Sequence, residues 1–93
     1  MADVVHELVP TDRALEKLAA RSSSFGDATQ LPGNRHVVVR NPSDPEHRRL
    51  LVGTTDGGRV LTLVIEETVD PTTWLLVTGC SATLRERRIL GRR

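Results

Sequence analysis

The sequence predicts an α+β domain with two N-terminal helices, a four-stranded antiparallel β-meander and a basic C-terminal helix. Apolar residues recur at helical spacing within Asp12–Ser22. Two apolar strand-like runs, Arg59–Thr68 and Thr73–Cys80, are separated by a short turn, and the arginine-rich segment Ser81–Arg93 follows them. With 93 residues, of which 38% are hydrophobic, the chain has the size of one small domain that spans residues 1–93.

Two helices are predicted before the first strand. Pro10-Thr11 is a start signal for the first helix, over roughly Asp12–Ser22. Its apolar stripe consists of Ala14, Leu15, Leu18 and Ala19. Ser24-Phe25-Gly26-Asp27 has the spacing of a capping box for a second helix that reaches about Leu31. Pro32-Gly33-Asn34 then ends this helix.

Four strands follow, joined by short turns that favour antiparallel pairing. The first two strands are predicted over Arg35–Arg40 and about Arg48–Thr55. Asp56-Gly57-Gly58 supplies the positive-φ residues of a tight hairpin into the third strand, which is apolar on both faces and therefore needs cover on each. Asp70-Pro71-Thr72 forms the turn before the fourth strand, Trp74–Gly79.

The C-terminal helix begins at a second capping box, Thr83-Leu84-Arg85-Glu86, and ends near Gly91. Residues 1–10 and 91–93 are predicted to be flexible ends. The segment from Thr83 onward contains five arginines and one glutamate, a net charge of +4, whereas the preceding residues carry eight basic and eleven acidic side chains, −3. This concentration of positive charge suits a phosphate backbone. It also suits a solvated helix face.

Composition argues against several classes of protein. No run approaches the ~20 apolar residues that a membrane span needs, and Met1-Ala2-Asp3 lacks the basic start of a signal peptide. Cys80 is the only cysteine, which excludes an intramolecular disulfide and favours the cytoplasm. No Cys/His pairing has zinc-site spacing, so we expect no metal and no cofactor.

The order of these short motifs resembles that of BrnT-type toxins, the toxin halves of bacterial type II toxin–antitoxin pairs. The matching stretches, within roughly Arg13–Leu90, are Lys17-Leu18, Ser24-Phe25-Gly26-Asp27-Ala28, Gly53-Thr54, Gly58-Arg59-Val60-Leu61-Thr62, Ala82-Thr83 and Glu86-Arg87. The resemblance implies a RelE-like fold, an endoribonuclease that inhibits translation and growth, and a cognate antitoxin. It also implies an RNA substrate, either free or ribosome-associated, and contact with DNA only through the antitoxin.

Metal-independent cleavage of RNA needs a base for the ribose 2′-hydroxyl, cations for the phosphorane and an acid for the leaving oxygen. We assign His36 as the acid and either Glu66 or Glu86 as the base. Arg87 and Arg40 are assigned as phosphate binders. Further RNA-binding candidates are Arg59, Arg85 and Arg88. His36 and Arg40 share a strand face, about 13 Å apart at ~3.3 Å per residue, so they flank a site more easily than they touch one atom.

Each of these residues also has a purely structural interpretation. His36 sits among valines as a half-buried strand residue, and Glu86 already serves as the capping-box partner of Thr83. Trp74 is either an interface anchor or a core residue.

The family's basic Ser-Ala-Arg junction before the last helix is replaced by Thr78-Gly79-Cys80-Ser81, and its tyrosine after Glu-Arg-Arg is replaced by Ile89 or Leu90. The alternative function is therefore a non-catalytic module that binds protein or nucleic acid.

Overall fold

A computed structural model describes residues 4–91 as an α+β fold built on one sheet. The strands are β1 (Glu7–Val9), β2 (His36–Arg40), β3 (Arg48–Thr54), β4 (Val60–Glu67) and β5 (Thr73–Ser81). The helices are α1 (Asp12–Ala20), α2 (Phe25–Gln30) and α3 (Leu84–Gly91), with a 3₁₀ turn at Leu31–Gly33. Of the ends predicted to be flexible, residues 1–3 and 92–93 lie outside the described residues.

The sheet has five strands in the order β1-β5-β4-β3-β2, and β1 runs parallel to β5 while the other pairs are antiparallel. The predicted four-stranded, purely antiparallel sheet behind two N-terminal helices is therefore wrong, although the class is α+β. Strand β1 precedes the helices and places Leu8 opposite Trp74. Three residues are too few to show a periodic pattern, and the backbone N–H groups of His6 and Glu7 pair with the distant Thr72 carbonyl.

Local signals place the helix ends. The Oγ1 of Thr11 accepts from the Ala14 N–H at 3.2 Å and donates to the Leu76 carbonyl at 2.8 Å, which joins the start of α1 to β5. The capping box of α2 is complete, because Ser24 and Asp27 each accept from the other's backbone N–H. Both signals involve residues three positions apart, so the sequence predicts them well.

Helices lie on both faces of the sheet. One face carries the main core, where α1 and the 3₁₀ turn cover the strands; its fully buried large side chains are Leu18, Leu31, Leu51, Leu61, Leu63, Ile65 and Leu76. The opposite face carries a smaller second core under α3, formed by Val37, Val52, Ala82 and Leu90. Strand β4 therefore contributes apolar side chains to both faces.

Trp74 is a core residue. Only 4% of it is exposed, and its indole Nε1 donates a 3.0 Å hydrogen bond to the Val4 carbonyl. Of its two sequence-based interpretations, the structure supports packing rather than an exposed interface anchor. Among the helices formed by residues 4–91, none is both long and apolar enough to cross a bilayer.

Candidate functional site

A cleft of about 390 Å³ lies between α3 and the β2–β3 pair. It is lined by Val39, Arg40, Pro42, Leu50, Thr83, Arg85, Glu86 and Ile89. Three of the residues predicted as functional, Arg40, Arg85 and Glu86, therefore meet in one place. We call this the α3 cleft.

The carboxylate of Glu86 is fixed at the start of α3. Its Oε1 accepts a 2.8 Å hydrogen bond from the Thr83 N–H, and Thr83 Oγ1 accepts from the Glu86 N–H at 3.2 Å, as the capping box predicts. The same Oε1 also accepts a 2.9 Å hydrogen bond from Thr62 Oγ1 in strand β4. Within the described residues no hydrogen bond engages Oε2, so half of this carboxylate is available to a ligand.

Two cations line the same cleft as that carboxylate. Arg40 at the end of β2 and Arg85 in the first turn of α3 are both exposed, and neither guanidinium forms a hydrogen bond or ion pair with another described residue. Val39, Leu50 and Ile89 supply the apolar part of the lining. The α3 cleft thus combines a held carboxylate with two uncommitted arginines, which favours an anionic ligand over a neutral one.

Arg87 and Arg88 lie on α3 but outside the lining of the cleft. Both are exposed and, in residues 4–91, their side chains have no hydrogen-bond or ion-pair partner. Their positive charge adds to the field around the cleft, since surface cations act over about a Debye length, ~8–10 Å. They have no direct geometric relationship to the Glu86 carboxylate that would identify either as its catalytic partner.

His36 lies on the other face of the sheet. It is opposite Gly53, where an added Cβ would lie 2.9 Å from His36 Cβ and 3.0 Å from the main-core side chain of Leu31. Glu86 reaches Thr62, which is opposite the second-core residue Val52. The sheet therefore separates His36 from Glu86, and the predicted acid does not meet this base.

The His36 ring instead contacts the chain just before its own strand. Its Nδ1 lies 2.8 Å from the Asn34 carbonyl oxygen. A carbonyl only accepts, so Nδ1 carries a proton and Nε2 is the nitrogen left to accept one in the neutral ring. This geometry matches the structural interpretation of His36 as a half-buried strand residue with a satisfied hydrogen bond.

Glu66 and Arg59 have structural partners away from the cleft. The Glu66 Oε1 accepts a 3.0 Å hydrogen bond from Arg48 Nε. Glu66 lies four residues from Thr62 along β4, a separation of roughly 13 Å. The Arg59 guanidinium donates to the carbonyls of Ser22 at 3.0 Å and Arg21 at 3.2 Å, where α1 ends. Arg59 therefore satisfies carbonyls that a helix end leaves unpaired.

Cys80 lies beside this region without the chemistry of a nucleophile. It is opposite Thr62 in the sheet. Burial raises the pKa of the Cys80 thiol, the negative charge of Glu86 raises it further, and Arg21 opposes the shift. The thiol therefore stays protonated near neutral pH, which is the unreactive form.

A second group of titratable residues was not predicted. Asp44, His47, Glu66 and Glu67 line a cavity of about 270 Å³ at the end of β4. His47 Nδ1 lies 2.9 Å from Glu67 Oε1, and this hydrogen bond is the main cause of a raised pKa of His47. Twenty residues separate the pair, so no local motif shows it. Nowhere in residues 4–91 do three or more His, Cys, Asp or Glu side chains form a group able to hold a metal ion.

Comparisons with known proteins add no family assignment. No family model, no curated protein and no solved structure matches this chain. The resemblance to BrnT-type toxins thus rests on the motifs of the sequence alone.

Proposed function

We propose that this protein is the toxin of a bacterial type II toxin–antitoxin pair, acts in the cytoplasm on RNA, and binds the RNA backbone in the α3 cleft. The observation that carries the proposal is that Glu86 lines one cleft together with Arg40 and Arg85, two arginines whose side chains have no partner among the described residues. A general base beside phosphate-binding cations is what metal-independent cleavage of RNA requires. The motif resemblance supplies the class of protein.

In this proposal each cleft residue has one role. Glu86 removes the proton of a ribose 2′-hydroxyl, whose oxygen attacks the adjacent phosphorus. Arg40 and Arg85 stabilise the charge of the phosphorane, and the 5′-oxygen leaves with a proton, giving a 2′,3′-cyclic phosphate and a 5′-hydroxyl. Arg87 and Arg88 attract RNA without touching the reacting atoms. His36 lies across the sheet, so the proton for the leaving oxygen comes from another group or from water.

The test is induced expression in bacteria, with and without the neighbouring gene, followed by growth and the integrity of total RNA. Glu86→Gln is the decisive variant, because an amide oxygen still accepts from Thr62 and Thr83 but the side chain no longer acts as a base. Arg40→Ala and Arg85→Ala remove the cations. Arg13→Ala, an exposed arginine on α1 without a partner in the described residues, is the matched control.

Growth arrest with RNA fragmentation that is relieved by the neighbouring gene, and lost in Glu86→Gln, is the expected result. Removal of one general base costs about 10²–10⁴-fold in rate. Intact RNA in cells that contain soluble wild-type protein contradicts the cleavage proposal. So does a Glu86→Gln variant that cleaves RNA as well as the wild type.

The second candidate is a binding module without chemistry. Two observations favour it: His36 and Glu86 lie on opposite faces of the sheet, and Glu86 Oε1 already holds α3 in place. A binding module is expected to retain RNA without cleaving it. Its affinity should then fall in Arg40→Ala and Arg85→Ala but not in Glu86→Gln, which separates it from the enzyme.

A further inference from the structure

Strand β2 has one unused edge. It lies at the end of the sheet and pairs only with β3. The Thr54 N–H donates to the Arg35 carbonyl and the Asn41 N–H to the Arg48 carbonyl, which fixes the alternation of the antiparallel ladder. The backbone N–H and C=O groups of Val37 and Val39 therefore form hydrogen bonds with β3. Those of residues 36, 38 and 40 point away from the sheet.

These outward groups have no hydrogen-bond partner among the described residues. No backbone or side-chain hydrogen bond reaches the N–H or C=O of residues 36, 38 or 40 from elsewhere in residues 4–91. The strand contains three consecutive valines and no proline, and it pairs with β3 without a bulge. Natural sheets usually block such an edge with a bulge, a proline or a covering loop. An open, regular, apolar edge is instead a template for another strand.

The charge around this edge selects the kind of strand. Arg40 ends β2, Arg49 is directly opposite it on β3, and Arg85 lies across the α3 cleft. Val39, Leu50 and Ile89 line the same cleft. A strand added beside β2 places every second side chain on the α3 side of the sheet, next to these apolar residues and arginines.

We propose that the free edge of β2 binds an extended acidic segment of a protein partner. The segment adds a sixth strand, its backbone pairs with residues 36, 38 and 40, and its carboxylates meet Arg40 and Arg85. A second copy of this chain fits less well: pairing β2 with itself about Val38 sets Arg40 opposite His36 and provides no carboxylate for either arginine.

This inference does not depend on RNA cleavage. It rests on the ladder alternation and on the two arginines, and it holds for an enzyme or a binding module. If the α3 cleft also binds RNA, the acidic segment and the RNA compete, because both use Arg40 and Arg85. A partner that occupies the edge then inhibits the domain by covering its cations.

The probe is an acetylated, amidated octapeptide in which valine alternates with glutamate, and its control replaces each glutamate by lysine. Binding to the full chain is followed by NMR, with hydrogen exchange measured at individual amides. The acidic peptide is expected to slow exchange at residues 36, 38 and 40. Residues 37 and 39 are already protected by β3, so their exchange changes little. This alternation of protected and unchanged amides along β2 distinguishes strand addition from general binding at the surface.

Substitutions test whether Arg40 and Arg85 are needed to bind the acidic peptide. Arg40→Ala with Arg85→Ala is expected to weaken binding of the acidic peptide about tenfold, the sum of two exposed ion pairs, whereas Arg13→Ala leaves it unchanged. Glu86→Gln retains peptide binding even though it abolishes the proposed cleavage, so failure of one proposal is distinguishable from failure of the other.

Three results overturn the inference. The first is no protection at millimolar acidic peptide, and the second is equal protection by the lysine peptide. The third is concentration-dependent protection of residues 36, 38 and 40 in the protein alone together with a dimer in sedimentation, which assigns the edge to a second copy.

Discussion

Thr62 Oγ1 donates a 2.9 Å hydrogen bond to Glu86 Oε1, and this bond ties the C-terminal helix to the middle of the sheet. Thr62 is only 3% exposed, on the face opposite the main core. The small second core adds Ala82 and Leu90 to the attachment of α3. This polar contact and the second core together attach α3, and with it the residues of the α3 cleft, to the sheet.

Thr62→Val should destabilise the protein by about 1–2 kcal/mol, because it removes a hydrogen bond to a charged acceptor while keeping the shape of the side chain. Urea unfolding gives the stability, and amide exchange in α3 shows whether the helix loosens. Thr78→Val is the matched control, since Thr78 lies on the same face of the next strand and forms no side-chain hydrogen bond within residues 4–91. Equal losses in the two variants would contradict a special role for Thr62.

Gly79 allows α1 to approach β5 closely. A Cβ at this position would lie 2.8 Å from Leu18 Cδ2 and 2.9 Å from Leu63 Cδ2, and both leucines are fully buried. Gly79→Ala should therefore cost about 1–3 kcal/mol through overpacking. The melting temperature and the urea midpoint measure this loss.

Gly33→Ala is the control for Gly79, because nothing lies within 4 Å of a Cβ added at Gly33. We expect a change within about 0.5 kcal/mol for this surface site. A Gly79→Ala protein as stable as the Gly33→Ala protein would mean that α1 shifts away from β5 at little cost.

The parts of the fold that the sequence predicts are those set by neighbouring residues. The capping boxes at Ser24 and Thr83 and the hairpin at Asp56-Gly57-Gly58, where Gly58 has φ 87°, depend on residues a few positions apart. Strand β1 was missed because its pairing partner, β5, is more than sixty residues away in sequence. Three residues gain strand structure only from that tertiary contact.

The site was predictable only in part, for the same reason. Alternation along β2 predicts one face for His36 and Arg40, yet Arg40, the last residue of the strand, lines the α3 cleft and His36 does not. The side on which α3 docks decides whether His36 meets Glu86. That side depends on packing at Leu90 and on the Thr62 contact. The role of Arg59 at the end of α1 likewise depends on residues thirty-seven and thirty-eight positions away.

Ser22, two residues after the end of α1, has a backbone conformation that glycine prefers. Its φ is 57°, and the N–H groups of Ser22 and Ser23 bond to the carbonyls of Ala19 and Leu18, the pattern of a Schellman motif. Ser22→Gly should stabilise the protein by about 0.5–1 kcal/mol, since it removes left-handed strain from a residue with a Cβ. Urea unfolding measures the gain.

Ser22→Val tests the same explanation in the opposite direction. A β-branched side chain is the least suited to positive φ, so this variant should lose at least about 1 kcal/mol. If both variants shift stability in the same direction, the backbone conformation at residue 22 is not the cause.

The pKa of His47 should depend mainly on Glu67. The hydrogen bond to Glu67 is the largest cause that raises this pKa above its ordinary value of 6.5; the charge of Asp44 follows, and that of Glu46, 3.9 Å from Nε2, contributes least. Glu67→Gln should therefore lower the His47 pKa, followed by NMR titration of the ring protons. Glu46→Gln is the control and should lower it less.

The sign of the effect on stability follows from the direction of this shift. A histidine whose pKa is higher in the folded state binds its proton more tightly there, so its contribution is fully present below pH 6.5. The contribution is lost as the pH rises through the raised pKa. Wild-type protein should thus lose slightly more stability than Glu67→Gln between pH 6 and 8. An identical pH dependence in the two proteins would show that the His47–Glu67 contact does not persist in solution.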